Sequence, residues 1–297
     1  MSKNHQTSPL PRTTEQQRSV FVLIIAIIAV SSAAPLVKSI SLNPLLIAFW
    51  RTFIISALLL FSLRKHHFPI SKQNIALSSL AGIFLAFHFW TWFSSLQMIG
   101  SLRSTTLVCL NPIWVGLLEF VFWKRSHSKY FWSGTILAIL GISVMSYSPI
   151  PSSDSQVQGD ILALLGGFLG ALYLLIGQKV RQNVDIQPYG FIVCISATIS
   201  LSLLCFYFNL DFLVDNSTTW LILLALAIGP QFMGHIGLNY CLKHLPASTI
   251  SLSLLLEPIG ASLLSILFFQ EFPTMLETYG SIIILFGVAI GLKNLRS

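Results

Sequence analysis

Of 297 residues, 54% are hydrophobic and 9% charged, with a mean hydropathy of +0.78; soluble domains carry roughly 25% charge, so water is excluded as the main solvent. The net charge of +7 (pI about 9.4) accompanies no basic cluster joined to a soluble fold or a base-stacking motif, which argues against nucleic acid as a partner. Cys109, Cys194, Cys205 and Cys241 all lie inside apolar runs without CxxC spacing, so neither a disulfide framework nor a thiolate metal site is indicated, and no cofactor is implied.

Residues 1–18 read as a polar cytoplasmic tail with Pro9, Pro11, Arg12 and Arg18. The apolar run beginning at Val20 reaches Val37, longer than the core of a secretory signal, and is expected to stay as the first membrane helix. Charges, Pro, Gly and Asn then mark off ten predicted spans: 20–38, 44–63, 75–98, 103–123, 130–148, 159–178, 189–208, 219–241, 247–269 and 276–293. Each approaches the roughly 20 apolar residues that cross a hydrocarbon core. Because lipid offers no hydrogen bonds, each span must be helical, and continuous rather than alternating apolarity excludes a β-barrel. The expected fold class is an all-α membrane protein.

With the N-terminus placed inside, the inner segments hold Lys3, Arg12, Arg18, Arg64, Lys65, Lys72, Lys124, Arg125, Lys129, Lys179, Arg181, Lys243, Lys293 and Arg296, which is 14 of the 17 basic residues. Asp154, Asp160, Asp211, Asp215, Glu271 and Glu277 fall outside or at the outer edges. This bias predicts both termini inside a bacterial inner membrane.

A repeat supports the count. At an offset of 146, Leu110-Asn111-Pro112-Ile113 aligns with Leu256-Glu257-Pro258-Ile259, Gly134 with Gly280, Gly141 with Gly287, and Leu96 with Leu242. Five helices per copy reverse the second copy's orientation, giving two inverted five-helix repeats, the organisation of many secondary transporters. The expected boundaries are 19–148 for the first repeat, 149–158 for an outside linker and 159–297 for the second.

Polar groups in mid-span are the informative ones, since an ionisable side chain there costs about 2.5–3.5 kcal/mol on insertion scales. In the second span Arg51 lies about 10 Å past Pro44 and reads first as a support of the fold. In the third, Phe84, His88 and Trp92 share a face, suited to stacking and cation–π contact with a ligand or to interhelical packing. In the eighth, Gln231, His235 and Asn239 recur at i, i+4 and i+8 among Gly229, Pro230, Gly234 and Gly237, as expected of a bent, cavity-lining helix. In the ninth, Thr249 and Ser253 share the face of Glu257, and Pro258 has no N–H for the carbonyl of Leu254. Glu257 stands roughly 16 Å past Pro246, near mid-depth. It is expected either to bind a substrate ammonium or carry a coupling proton, or to be locked to a structural partner such as Arg51. Glu119 is expected to snorkel to the inner surface. Gly166-x-x-x-Gly170 and Gly287-x-x-x-Gly291 fit close helix packing within the chain.

Pro44 with Phe49 and Arg51, Gly82 to Leu96, Asn111-Pro112, Gly159-Asp160, Leu256-Glu257-Pro258 with Glu271, and Gly141 with Gly287 together resemble the EamA-type members of the drug/metabolite transporter superfamily. The resemblance covers nearly the whole chain after residue 19. It implies export or exchange of amino acids, related metabolites or drugs, a central cavity between the halves, and peripheral fifth and tenth helices. Thirteen positions after Pro258 stands Glu271, but thirteen after Pro112 stands Arg125, where such proteins often carry Glu; a symmetric gating pair is therefore not expected.

HExxH, GxSxG and GxxxxGK[ST] are absent from the sequence, so the chain is not expected to be an enzyme, and any driving force is a gradient or an exchanged solute. The expected activity is secondary transport of a small polar organic metabolite by alternating access, with a coupling proton or counter-substrate. S-adenosylmethionine or a drug cation is the alternative cargo. A non-transporting scaffold or an intramembrane enzyme is the alternative class. The expected partners are the substrate and the lipid bilayer, and the expected state is a monomer or weak homodimer.

Overall fold

The computed structural model describes residues 14–63, 70–145, 147, 154–269, 272 and 274–293, and among these every regular element is helical. Ten helical units follow in order. They are α1 (Thr14–Ser31, resumed as Ala33–Lys38), α2 (Pro44–Leu63), α3 (Lys72–Met98), α4 (Ser101–Val108, resumed as Asn111–Trp123), α5 (Lys129–Met145), α6 (Asp154–Arg181) and α7 (Ile186–Tyr207). Then come α8 (Ser217–Leu226, Ala227–Ile236 and Gly237–Cys241), α9 (Ala247–Leu254, resumed as Glu257–Phe269) and α10 (Met275–Leu292). Among the described residues eight helices are long and apolar enough to cross a membrane, and Lys129–Met145 and Thr278–Leu292 are shorter apolar helices.

Four units are interrupted, each beside a proline. In α1, Pro35 gives no N–H to the carbonyl of Ser31, and the hydroxyls of Ser31 and Ser32 turn back to donate to the Ile27 and Ala29 carbonyls at 2.8 and 2.7 Å. In α4 the break falls at Cys109-Leu110, ahead of Pro112. Around Pro230, α8 widens into a π-helix over Ala227–Ile236. In α9, Leu255 and Leu256 N–H groups reach back only three residues, to Leu252 and Ser253, before the helix restarts at Glu257.

Small residues decide which helices touch. A Cβ placed on Gly134 would stand 2.4–2.6 Å from backbone atoms of Gly287 and Gly291, and one on Gly280 would stand 2.5 Å from the Gly141 carbonyl oxygen. Thus α5 and α10 pack backbone to backbone, and the contact is reciprocal: each member of the two pairs aligned at 146 meets its opposite. Gly166 and Gly170 likewise let α6 approach Thr91 and His88 of α3. Both GxxxG runs are therefore spent on contacts inside the chain. Helices α2 and α7 meet through Thr198 Oγ1, which donates to Thr52 Oγ1 at 3.1 Å.

The outer surface is apolar. Phe21, Ile24, Ile28, Phe61, Leu203, Phe206 and Phe286 are all more than half exposed. A soluble monomer rarely shows contiguous apolar patches beyond a few hundred Å², whereas hydrocarbon solvates them at no cost. The chain is an integral, multi-pass membrane protein.

Candidate functional site

The interruptions converge. Val30 and Ala33 flank the break in α1; Val108, Cys109 and Asn111 flank that in α4; Leu254 and Glu257 flank that in α9; His235 and Leu238 lie in and just after the π-helical stretch of α8. These residues, with His88 and Trp92 of α3 and Gly170, Tyr173 and Leu174 of α6, enclose a cavity of about 40 Å³. That is room for roughly three waters at about 10–15 Å³ each. Broken backbone at membrane depth is tolerated only where protein or a cavity satisfies it, so breaks and cavity belong to one construction. Helices α5 and α10 contribute nothing to the lining.

The wall carries several unsatisfied polar atoms. Trp92 Nε1 (a donor), Asn111 Oδ1 (an acceptor) and His235 Nδ1 are buried and have no protein partner. His88 Nδ1 donates to the carbonyl of Gly166 at 2.7 Å, which leaves Nε2 of the neutral ring as an acceptor. Glu257 opens the second part of α9, and its Oε2 accepts from the thiol of Cys109 at 3.5 Å. Arg51, the structural partner considered for it, forms no ion pair with it. The imidazoles of His88 and His235 face each other with ring centres 6.1 Å apart.

Of the residues expected to bind a ligand, His88, Trp92, Asn111, His235 and Glu257 line the cavity and three stand elsewhere. Gln231 is fully buried behind the wall, accepting from Arg51 Nε at 3.1 Å and placing Nε2 3.6 Å from Cys194 Sγ. Asn239 donates to the hydroxyl of Tyr173 at 2.6 Å, and its backbone carbonyl accepts from Arg181 Nε at 3.0 Å. Ser253 folds back to donate to the Thr249 carbonyl at 2.9 Å. A stripe at i, i+4 and i+8 presumes a straight α-helix, whereas α8 is π-helical over Ala227–Ile236 and its Gln231 and Asn239 lie off the cavity. Pro112 and Pro258 sit at the breaks in α4 and α9, as their missing N–H groups require.

Glu119 corrects one expectation. It does not snorkel: its side chain is 4% exposed, and Oε2 lies 2.8 Å from His127 Nε2 while Arg125 Nη1 stands 3.9 Å from Oε1. Lys124, left-handed at φ 54°, turns the chain so that the loop folds back over the acid. Arg125 therefore meets an acid of its own helix. Glu271, its counterpart by sequence, lies outside the described residues.

Other contributors had only faint signals. Cys109, Tyr173 and Gly170 line the cavity; only the Gly166-x-x-x-Gly170 spacing marked this face of α6. Arg103 and Asp160 form a two-bond ion pair, Nε to Oδ1 at 2.8 Å and Nη2 to Oδ2 at 2.5 Å, tying the first turn of α4 to the second turn of α6. At the opposite ends of these helices two recesses of about 510 and 520 Å³ open. One is lined by Glu119, Arg125 and Gln178, the other by Arg181, Asp185 and Lys243. Leu174 lines the cavity and Leu175 the first recess, so adjacent residues of α6 serve the two.

Comparison with known proteins agrees with this architecture. The model of the EamA-like transporter family matches residues 17–147 and again 157–292. Curated relatives include the uncharacterized transporter YdfC of Bacillus subtilis, 27% identical over 249 residues (82% of this chain, 79% of that protein). Another is an uncharacterized transporter of Archaeoglobus fulgidus, 24% identical over 257 residues (83% and 87%). The uncharacterized transporter YwfM of Bacillus subtilis is 25% identical over 282 residues (92% of each). A solved crystal structure superposes with a TM-score of 0.76 at 16% identity, covering 92% of this chain and 96% of that one, and is similar in fold.

Proposed function

The chain belongs to the EamA-like transporter family, and from that premise we propose that it carries a small polar organic metabolite, an amino acid or related compound, across the inner membrane by alternating access. It is a membrane transporter. In the reading proposed, residues 19–148 and 159–297 are two five-helix repeats of inverted topology, joined by an outside linker at 149–158, with both termini cytoplasmic. The cavity between them is the substrate site.

One observation carries this reading: a donor, an acceptor, an imidazole nitrogen and a carboxylate converge on a small cavity where four helices break. Buried polar atoms are nearly always hydrogen-bonded, so a wall with Trp92 Nε1, Asn111 Oδ1 and His235 Nδ1 unpaired suits a polar guest. Glu257 offers its charge to a substrate ammonium or to a coupling proton. At about 40 Å³ the cavity is far below the roughly 300–1,000 Å³ of a small-molecule site. The state described is contracted, and loading requires the two halves to part. The Arg103–Asp160 pair closes the outer end, and the recesses at the other ends of α4 and α6 mark the cytoplasmic approach. Rocking of the halves then exposes the cavity to one side at a time, driven by a proton or an exchanged solute, for export or exchange.

A second reading, transport of a drug cation or of S-adenosylmethionine, is favoured by the aromatic rings of Trp92, Tyr173 and His88, which line the same cavity as Glu257. Uptake into proteoliposomes from a mixed metabolite pool, with and without a pH gradient, separates the two. Accumulation of polar metabolites against empty-vesicle controls is expected. Uptake of hydrophobic cations alone would favour the second reading, and no uptake of any solute would remove both.

A further inference from the structure

The helix bundle contains a cation that no acid among the described residues neutralises at contact distance. Arg51 is 0% exposed, and its Nε donates to Gln231 Oε1 at 3.1 Å while Nη1 and Nη2 have no protein partner. Among the described residues every ion pair lies at a helix end: Arg103–Asp160, Arg125 and His127 with Glu119, Lys243–Asp185 and His244–Glu15. Among the described residues no acid comes within 4.0 Å of Arg51. The guanidinium carbon stacks 4.0 Å from the ring centre of Phe89 and 5.5 Å from that of Phe93. Stacking returns far less than it costs to bury an unpaired cation. The cation is particular to the first half, since α7, the counterpart of α2 by helix order, contains no Lys or Arg.

Its position gives it a use. Phe89 lies against Arg51, the ring of His235 stands edge-on to Phe89 at 4.9 Å, and His235 lines the cavity. Two rings therefore separate the guanidinium from the cavity, and Glu257 stands on the same wall. Gln231 and His235 both belong to the π-helical stretch Ala227–Ile236, a rare widened turn of the kind found at functional sites, so the partner of Arg51 and the ring that lines the cavity share one irregular segment.

We propose that Arg51 receives the anionic group, a carboxylate or its equivalent, of a substrate whose amine is held by Glu257, so that the transported solutes carry both charges. This rests on Glu257 taking the cationic group. A guanidinium offers two parallel N–H donors to a carboxylate, and Nη1 and Nη2 are the two left open.

The test is competition for uptake into proteoliposomes of the full chain. The vesicles are offered an equimolar pool of the common amino acids, their decarboxylated amines, their ethyl esters and the matching amine-free acids, read by mass spectrometry. Amino acids are expected to accumulate at least tenfold over their amines and esters. Arg51→Lys should keep that ranking with a higher KM, and Arg51→Met should abolish it. Amines or esters accumulating as well as the amino acids overturn the proposal while leaving Glu257 in its role. Amine-free acids accumulating equally well remove Glu257 instead, and the proposal falls with it; uptake of nothing removes both. Arg51→Met with wild-type thermal unfolding and unchanged KM for amino acids also overturns it. Should that variant fail to fold, the wild-type ranking decides alone.

Discussion

The two halves of this protein build one wall from different chemistry. At an offset of 146, Trp92 and Leu238, Val108 and Leu254, and Asn111 and Glu257 are pairs in which both members line the cavity. For α1 and α6 the offset is 140, pairing Val30 with Gly170 and Ala33 with Tyr173. The two family matches begin at 17 and 157, the same interval. The frame is thus repeated down to single lining positions. The polar groups are not: Asn111 faces Glu257, Phe89 stands where the second half has His235, and Arg51 has no basic counterpart anywhere in α7. Ionisable groups are nevertheless shared between the halves, with Arg51 and His88 from the first and His235 and Glu257 from the second. The alternating access proposed above needs two states of similar energy, for which a repeated frame is suited. Selecting a solute needs one-sided chemistry, which the substitutions supply.

The comparison is broken most severely at its most unequal pair. Glu257→Gln keeps the shape and removes the charge; hydrogen bonds to charged groups are worth about 1.5–3 kcal/mol, so transport should fall roughly 10- to 100-fold. Wild-type rates of uptake by that variant at every pH would take Glu257 out of both the binding and the proton roles. The frame is tested next. Gly134→Ala and Gly287→Ala each drive a methyl into backbone, with contacts of 2.4–2.6 and 2.5–2.9 Å. Both should cost about 1–3 kcal/mol, seen as similar drops in thermal unfolding temperature in detergent. A Cβ on Gly100 meets nothing within 4 Å, so Gly100→Ala is the neutral control.

His235→Phe copies the first half's Phe89 onto the second and isolates the imidazole from its packing. Loss of one net hydrogen bond, about 0.5–1.5 kcal/mol, should raise KM roughly two- to tenfold, and an unchanged KM would return His235 to a structural part. The smallest effect belongs to Asp160→Asn. The pair it breaks is 38% and 23% exposed on its two sides, so stability should change by less than about 1 kcal/mol, whereas labelling of Cys109 by an impermeant thiol reagent from outside should increase. No increase would show that the outer end is closed by other contacts.

Much of this was legible in the sequence, because hydrophobic length, proline and glycine act locally. The apolar spans near 20 residues, Pro112 and Pro258 beside their breaks, and the glycines of α5 and α10 all announce their structural consequence within a turn or two. His88, Trp92, Asn111, His235 and Glu257 could be picked out as polar or aromatic groups in mid-span. What escaped was non-local or depended on exact helical pitch. Arg103 and Asp160 are 57 residues apart, with nothing near either to name the other. Gln231 and Asn239 left the cavity because α8 is π-helical over Ala227–Ile236, where a 3.6-residue period no longer assigns faces. Glu119 was misplaced because a left-handed Lys124 folds His127 back over it, a turn that no glycine advertised.

The most direct test exchanges the unequal pair across the frame. Uptake should be compared for wild type, Glu257→Asn, and the double variant Asn111→Glu with Glu257→Asn. Equivalent positions in a repeated wall present the same carboxylate to the same cavity, so the exchange should recover a measurable part of the transport that Glu257→Asn loses. A double variant that folds as wild type yet transports no better than Glu257→Asn would contradict a substrate cavity shared by two equivalent halves.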